Sequence, residues 1–184
     1  MDFGPVVFVQ RVRAVCSPAA RFRSRHEVSC MAKSFIVHEA DVEAVALPGG
    51  GSFRLLEDSE NSAGLFGANR LTLAAGADGT RPHHHTKSTE IFYVLDGTME
   101  FLVDGARNAV GKGGLVVVPP GVVHAFGAGA DGPAEFLAVL TPGIVRFEYF
   151  RQLGRIARGE ADWDSMNELH DRFDVHFDGG PQWR

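Results

Sequence analysis

Between residues 51 and 143 the chain is a series of short β-prone runs, each cut off by glycine, proline or an Asp-Gly pair. No other feature limits the fold as strongly. Runs this short leave no room for a long helix, and β-branched and aromatic residues at alternate positions favour half-buried strands. Phe53 to Leu56, Leu65 to Ala74, Thr89 to Leu95, Thr98 to Val103, Leu115 to Val118, Val122 to Phe126 and Glu135 to Leu140 read as strands, with Ser34 to His38 as a further short one. Asp96-Gly97 and Asp104-Gly105 carry the strongest short hairpin signal. Leu47 to Ser52, Gly76 to Pro82, Pro119-Pro120-Gly121 and Pro142-Gly143 read as turns or loops. This spacing predicts an all-β fold, a closed barrel or sandwich.

The period then changes. Phe147, Phe150, Leu153 and Ile156 fall on one helical stripe, and a second helix is expected over 162–170 with Asp162 as its cap. The tail from Phe173 to Phe177 alternates and reads as a strand for this sheet or for another chain. The expected organisation is one domain over 31–184, with a barrel core at 64–141 and a helical appendage and tail at 142–184. Residues 1–30 stand apart: they carry Arg11, Arg13, Arg21, Arg23 and Arg25, and both cysteines, Cys16 and Cys30. They are expected to be poorly tied down, and Met31-Ala-Lys-Ser reads as the ordinary start.

Composition removes several function classes. A net charge of −5 argues against nucleic acid as the main partner. No run of about 18 apolar residues is present, which excludes a spanning helix and so a membrane role of that kind. A body free of cysteine needs no oxidising compartment, so cytoplasm is the expected location.

The chemistry concentrates in four residues. His83 and His85 are two apart, so on a strand they share a face while His84 points away. Glu90 opens the next strand, and His124 follows the Pro-Pro-Gly turn. Singly each is bland: a histidine tract in a loop, a surface carboxylate, a core histidine. Together, three imidazoles and a carboxylate form a donor set for one divalent transition metal, drawn from Fe, Mn, Co, Ni, Cu or Zn. His38, His170 and His176 lack ligand spacing and read as surface or structural. Arg81 and Lys87 read as solvated loop charges, and one of Asn69 and Arg70 is expected to face the cavity.

Here the sequence resembles the cupins. His83-x-His85, four residues, Glu90, six residues and Gly97 match their first signature. Gly113, five residues, Pro119-x-Gly121, two residues and His124 match the second. Ala77 and Ala128 stand where the family usually has Gly and Asn, and neither is a ligand position. The resemblance implies a double-stranded β-helix, the cupin or jelly-roll barrel, with short C-terminal helices. It implies His83, His85, Glu90 and His124 as metal ligands inside the wider mouth.

A looser likeness extends to small bacterial quercetin dioxygenase-type cupins. It runs through Glu90-Ile-Phe-Tyr-Val-Leu-Asp-Gly97, the helix near Phe147 and the ending from Phe173 to Trp183. It implies a metal-dependent dioxygenase that cleaves a flavonol-like substrate with molecular oxygen, Glu90 serving as catalytic base. Strand positions offer Phe92, Val94, Phe101, Val116, Val118, Phe126 and Phe136 as a lining for a small hydrophobic or aromatic substrate. The alternatives are a non-oxidative metal enzyme (a polyketide cyclase, isomerase or lyase) and a small-molecule-binding cupin. A homodimer is expected, with the 147–156 helix and the 173–177 tail as surfaces to bury.

Overall fold

The computed structural model describes residues 34–178 and 183–184. The readings for residues 1–30 and for a start at Met31 lie outside the described residues. The strands are β1 (Ala44–Ala46), β2 (Gly51–Glu57), β3 (Gly67–Leu73), β4 (Asp78–His84), β5 (Thr89–Asp96), β6 (Thr98–Val103), β7 (Ala106–Gly111), β8 (Leu115–Val118), β9 (His124–Ala128), β10 (Ala134–Thr141) and β11 (His176–Phe177). The helices are α1 (Phe147–Ala157) and α2 (Asn167–Arg172).

One sheet has the order β1-β2-β3-β10-β5-β8 and the other β11-β4-β9-β6-β7, every pairing antiparallel. The two sheets form a jelly-roll barrel. Alternation drives this: Gly67, Asn69, Leu71 and Leu73 on β3 point inward while the residues between them stay half-exposed. Phe92 and Phe136 from the first sheet meet Phe101 and Phe126 from the second. Ring centroids lie 5.1 Å apart for Phe92–Phe136 and 5.0 Å for Phe126–Phe136, both edge-to-face. At the Asp96-Gly97 hairpin Gly97 has φ +69°, and a Cβ there would stand 2.3 Å from the Pro133 carbonyl oxygen. Only glycine fits that turn.

Several strand readings change. Ser34 to His38 forms no strand; it leads into a 3-10 turn at Glu39–Asp41. The expected loop from Gly76 to Pro82 is largely β4. Asp78, Thr80 and His83 pair with Gly127, Phe126 and His124, and the register slips twice between them. Those bulges erase the two-residue period that sequence reading relies on. The 147–156 helix and the tail also make contacts within the chain: β11 pairs with β4, and α1 buries Tyr149 and Phe150. The exposed apolar residues include Tyr93, Leu115 and Val117, where the edge strand β8 meets β5.

The appendage is attached by a long-range cap. Arg146, the residue before α1, provides no side-chain cap of its own. Asp58, beyond the end of β2, accepts instead from the backbone N–H groups of Arg146 (2.5 Å) and Phe147 (2.8 Å). Its carboxylate also faces the positive end of the helix dipole. The second helix starts as expected: Asp162 accepts from the Ser165 N–H at 3.1 Å, and a 3-10 turn at Trp163–Met166 runs into α2. None of the described helices is long and apolar enough to cross a membrane.

Asp58→Ala should therefore destabilise the fold by about 1–2 kcal/mol, as loss of a cap does. Thermal unfolding would show a lower Tm, with Asp58→Asn closer to wild type because its amide oxygen still accepts.

Candidate metal centre

The two sheets converge on one polar cluster. His83 lies near the end of β4, His85 immediately after it, and His124 opens β9 directly opposite His83. Glu90 comes from the other sheet, between Leu140 on β10 and Val118 on β8. One ligand atom from each of the four lies within 4.8 Å of every other, and all four side chains are buried. His84 points away, as its odd position requires; it pairs with Asp178 and stacks on His176.

The outer hydrogen bonds set each imidazole's proton. His83 Nδ1 lies 3.1 Å from the Arg81 carbonyl, His124 Nδ1 3.0 Å from that of Val122, and His85 Nδ1 2.5 Å from that of Asp174. A carbonyl only accepts, so each Nδ1 donates and each neutral ring keeps its lone pair at Nε2. Those lone pairs turn toward the Glu90 carboxylate. Glu90 Oε2 is 3.1 Å from His85 Nε2 and 3.0 Å from His124 Nε2. Acceptors facing acceptors at these distances repel unless positive charge lies among them. One metal cation satisfies all four, and carbonyl-anchored imidazoles are the usual orientation for metal-ligating histidine.

The titration behaviour has the same cause. Burial pushes His83 well below the ordinary imidazole range, and the neighbouring His124 and His85 push it further, so it stays a neutral ligand. Burial alone would raise Glu90. The adjoining His85 and His124 and the nearby Arg146 outweigh it and hold Glu90 well below the usual carboxylate range.

Residues 69–140 match the family described as Cupin domain. Over 152 residues the chain is 28% identical to quercetin 2,3-dioxygenase from Bacillus subtilis; the match takes in 81% of this chain and 42% of that protein. The chain thus spans less than half the length of that curated relative. Among solved structures, the polyketide cyclase RemF from Streptomyces resistomycificus is 29% identical, with TM-score 0.50, over 60% of this chain and 80% of that one. The chain belongs to the cupin superfamily. The predicted oxalate decarboxylase from Thermotoga maritima shares the fold, with 23% identity and TM-score 0.52 over 58% of this chain and 98% of that one.

In this cupin the cluster opens onto a cavity of about 600 Å³ that His83 and Glu90 help to line. Phe126 and Phe136 line it. Phe92, Val94, Phe101, Val116 and Val118 do not. The first three and Val118 are fully buried, and Val116 packs against the same core. All point inward, but the barrel below the metal cluster is filled with side chains, so facing inward does not mean reaching the mouth. Asn69, not Arg70, faces the cavity; Arg70 pairs outside with Glu39 and Glu135. Gly79 lines it as well, and a Cβ there would meet the Phe126 ring at 2.4 Å.

The opposite wall is the appendage. Tyr149, Phe150, His170 and Phe177 line the cavity, as does Arg81 with its guanidinium 3.9 Å over the Phe177 ring. Arg81, though exposed, and the half-buried His170 both border the cavity. The helical stripe at 147–156 showed in the sequence; what it would cover did not.

Asp174 lies within the ending that resembles the quercetin dioxygenase-type cupins, but nothing in the sequence marked it out. Fully buried, with φ +55°, it accepts from the backbone N–H of Thr86 (3.0 Å) and Lys87 (2.9 Å) and from the Thr86 hydroxyl. Its own carbonyl anchors His85. It thus clamps the tail to the loop between β4 and β5. Burial would raise its carboxyl, but the hydrogen bonds from Thr86 and Lys87 outweigh burial and hold it below its ordinary 3.8. A depressed carboxyl stabilises the fold above its unfolded value and loses that effect as pH falls through the folded one.

Asp174→Ala should cost about 1–3 kcal/mol at neutral pH, since it strands donors that Asp174 now satisfies. It should also weaken metal retention by loosening His85. Thermal scans across pH would show the gap from wild type narrowing below about pH 4.

Proposed function

We propose that this cupin is a metal-dependent dioxygenase acting on a flavonol-like or other enolisable aromatic substrate. The observation that carries the reading is the His83, His85, Glu90, His124 cluster opening onto a cavity walled by aromatic rings. A cavity of about 600 Å³ suits a flat compound of flavonoid size. Identity to quercetin 2,3-dioxygenase across most of this chain supports the same reading.

A bound Fe, Mn, Co, Ni, Cu or Zn ion would supply Lewis acidity to a substrate oxygen and, where redox-active, access to molecular oxygen. The chain's own groups do the rest. Glu90 Oε2 is shared between His85 and His124, whereas Oε1 lies on the side of Arg146. Oε1 therefore takes the substrate hydroxyl proton. Held well below the usual carboxylate range, Glu90 is ionised at neutral pH, the form a general base needs. The aromatic walls hold the ring flat and exclude water from the reacting face. Both atoms of one oxygen molecule enter the product, so no external reductant is needed.

A second reading has its own support in the 29% identity to a polyketide cyclase. There Glu90 would remove a proton from an enolisable carbon, and no oxygen would be consumed.

Elemental analysis of protein purified without added metal should find about one transition-metal ion per chain, lost in His83→Ala. An oxygen electrode with a flavonol panel should then show uptake. Glu90→Gln should retain most of the metal while turnover falls about 10²- to 10⁴-fold. Turnover without oxygen uptake would transfer the assignment to the second reading. An unimpaired Glu90→Gln would remove Glu90 as the base.

A further inference from the structure

Arg146 is a cavity cation, enclosed by the protein, whose guanidinium the described residues leave without a hydrogen-bonded partner. Its Nε and Nη1 are enclosed with no acceptor, and Nη2 approaches Glu90 Oε1 only to 3.8 Å, beyond hydrogen-bond range. The side chain is only 12% exposed. Arg184 and Arg151 differ. Arg184 holds Asp78 at 2.7 Å and Glu100 at 3.0 Å, and Arg151 holds Glu43 at 2.8 Å. Enclosing a guanidinium without acceptors is costly, and such a group is stable where a ligand supplies them.

The surroundings fit that role. Asp58 fixes the Arg146 backbone, so the guanidinium is presented from a rigid position. Arg81, Asn69 and Tyr149 line the same cavity. Burial pushes the Tyr149 phenol up to about 12, so it remains a donor at neutral pH. One wall of the site is thus rich in donors and positive charge, beside rings that stack on a flat molecule.

We propose that Arg146 is a substrate-binding, specificity-determining residue that takes an ionised oxygen of the substrate. It restricts the cavity to aromatic compounds bearing an enolate, phenolate or carboxylate oxygen. The inference rests on the cavity being the substrate site, as read above, and not on which reaction follows. Arginine suits the task because its planar fork stays charged at any working pH and pairs with oxyanions.

The test is equilibrium binding to metal-loaded protein of three probes: 3-hydroxyflavone, 1-hydroxy-2-naphthoate, and flavone, which has no acidic group. Wild type should bind the two acidic probes in preference to flavone, and bound 3-hydroxyflavone should show the red-shifted band of its anion. Arg146→Gln should weaken both acidic probes about 10- to 100-fold, leave flavone unchanged and suppress the anion band, with metal content as in wild type. Arg146→Lys should fall between the two, and it carries the test if the glutamine variant folds poorly. If 1-hydroxy-2-naphthoate alone binds, through Arg146, the inference stands and the flavonol reading falls. Equal weakening of flavone, unchanged binding in both variants, or a wild type indifferent to the acidic group would each overturn it.

Discussion

Three imidazole lone pairs and a carboxylate meet in a buried space with no donor among them, and the barrel is arranged around that conflict. His83 and His124 face each other across one sheet, and Glu90 reaches them from the other. Each ring is anchored behind by a backbone carbonyl, so none can turn its N–H inward without losing that bond. Such an arrangement is favourable only with positive charge at its centre. The cluster is therefore both the chemical site and an electrostatic tie between the two sheets.

Beneath it, packing takes over from charge. Phe92, Phe101, Phe126 and Phe136 interlock from both sheets and close the barrel below the metal cluster. Phe92 also stands edge-on to His124, 6.1 Å away. This aromatic floor makes the mouth the open end and keeps the ligand set in a dry environment. There a carboxylate's interactions are stronger than in water.

The appendage turns an open barrel mouth into an enclosed cavity. Two aspartates hold it in place by accepting from backbone N–H groups far away in sequence: Asp58 at the start of α1, and Asp174 at the loop that carries His85 and leads to Glu90. Through these contacts the C-terminal segment adds aromatic rings, Arg146 and Tyr149 to the metal cluster. Cupins share the barrel across many reactions, so the groups that select a substrate are more informative here than the ligands themselves.

Short-range pattern was enough to reveal most of the strands, the Asp-Gly hairpins, the helical stripe and the four prospective ligands. Each depends on residues close in sequence or on a fixed motif spacing. The bulged strand β4 escaped notice because its register slips remove the alternation. Which inward-facing residues reach the cavity was beyond local pattern, since depth in a barrel depends on how strands stagger and on what fills the layer below. Phe126 reaches the mouth, while Phe101, paired with it across the ladder, does not. Asp58, Asp174 and Arg146 have no motif around them. Their roles exist only once β2, the β4–β5 loop and the C-terminal segment are neighbours in space, because a hydrogen bond or an enclosed charge is a property of position, not of residue type. The sequence by itself determined the barrel and the chemistry of its donor set; the tertiary structure decided the walls of the cavity and the charge that waits in it.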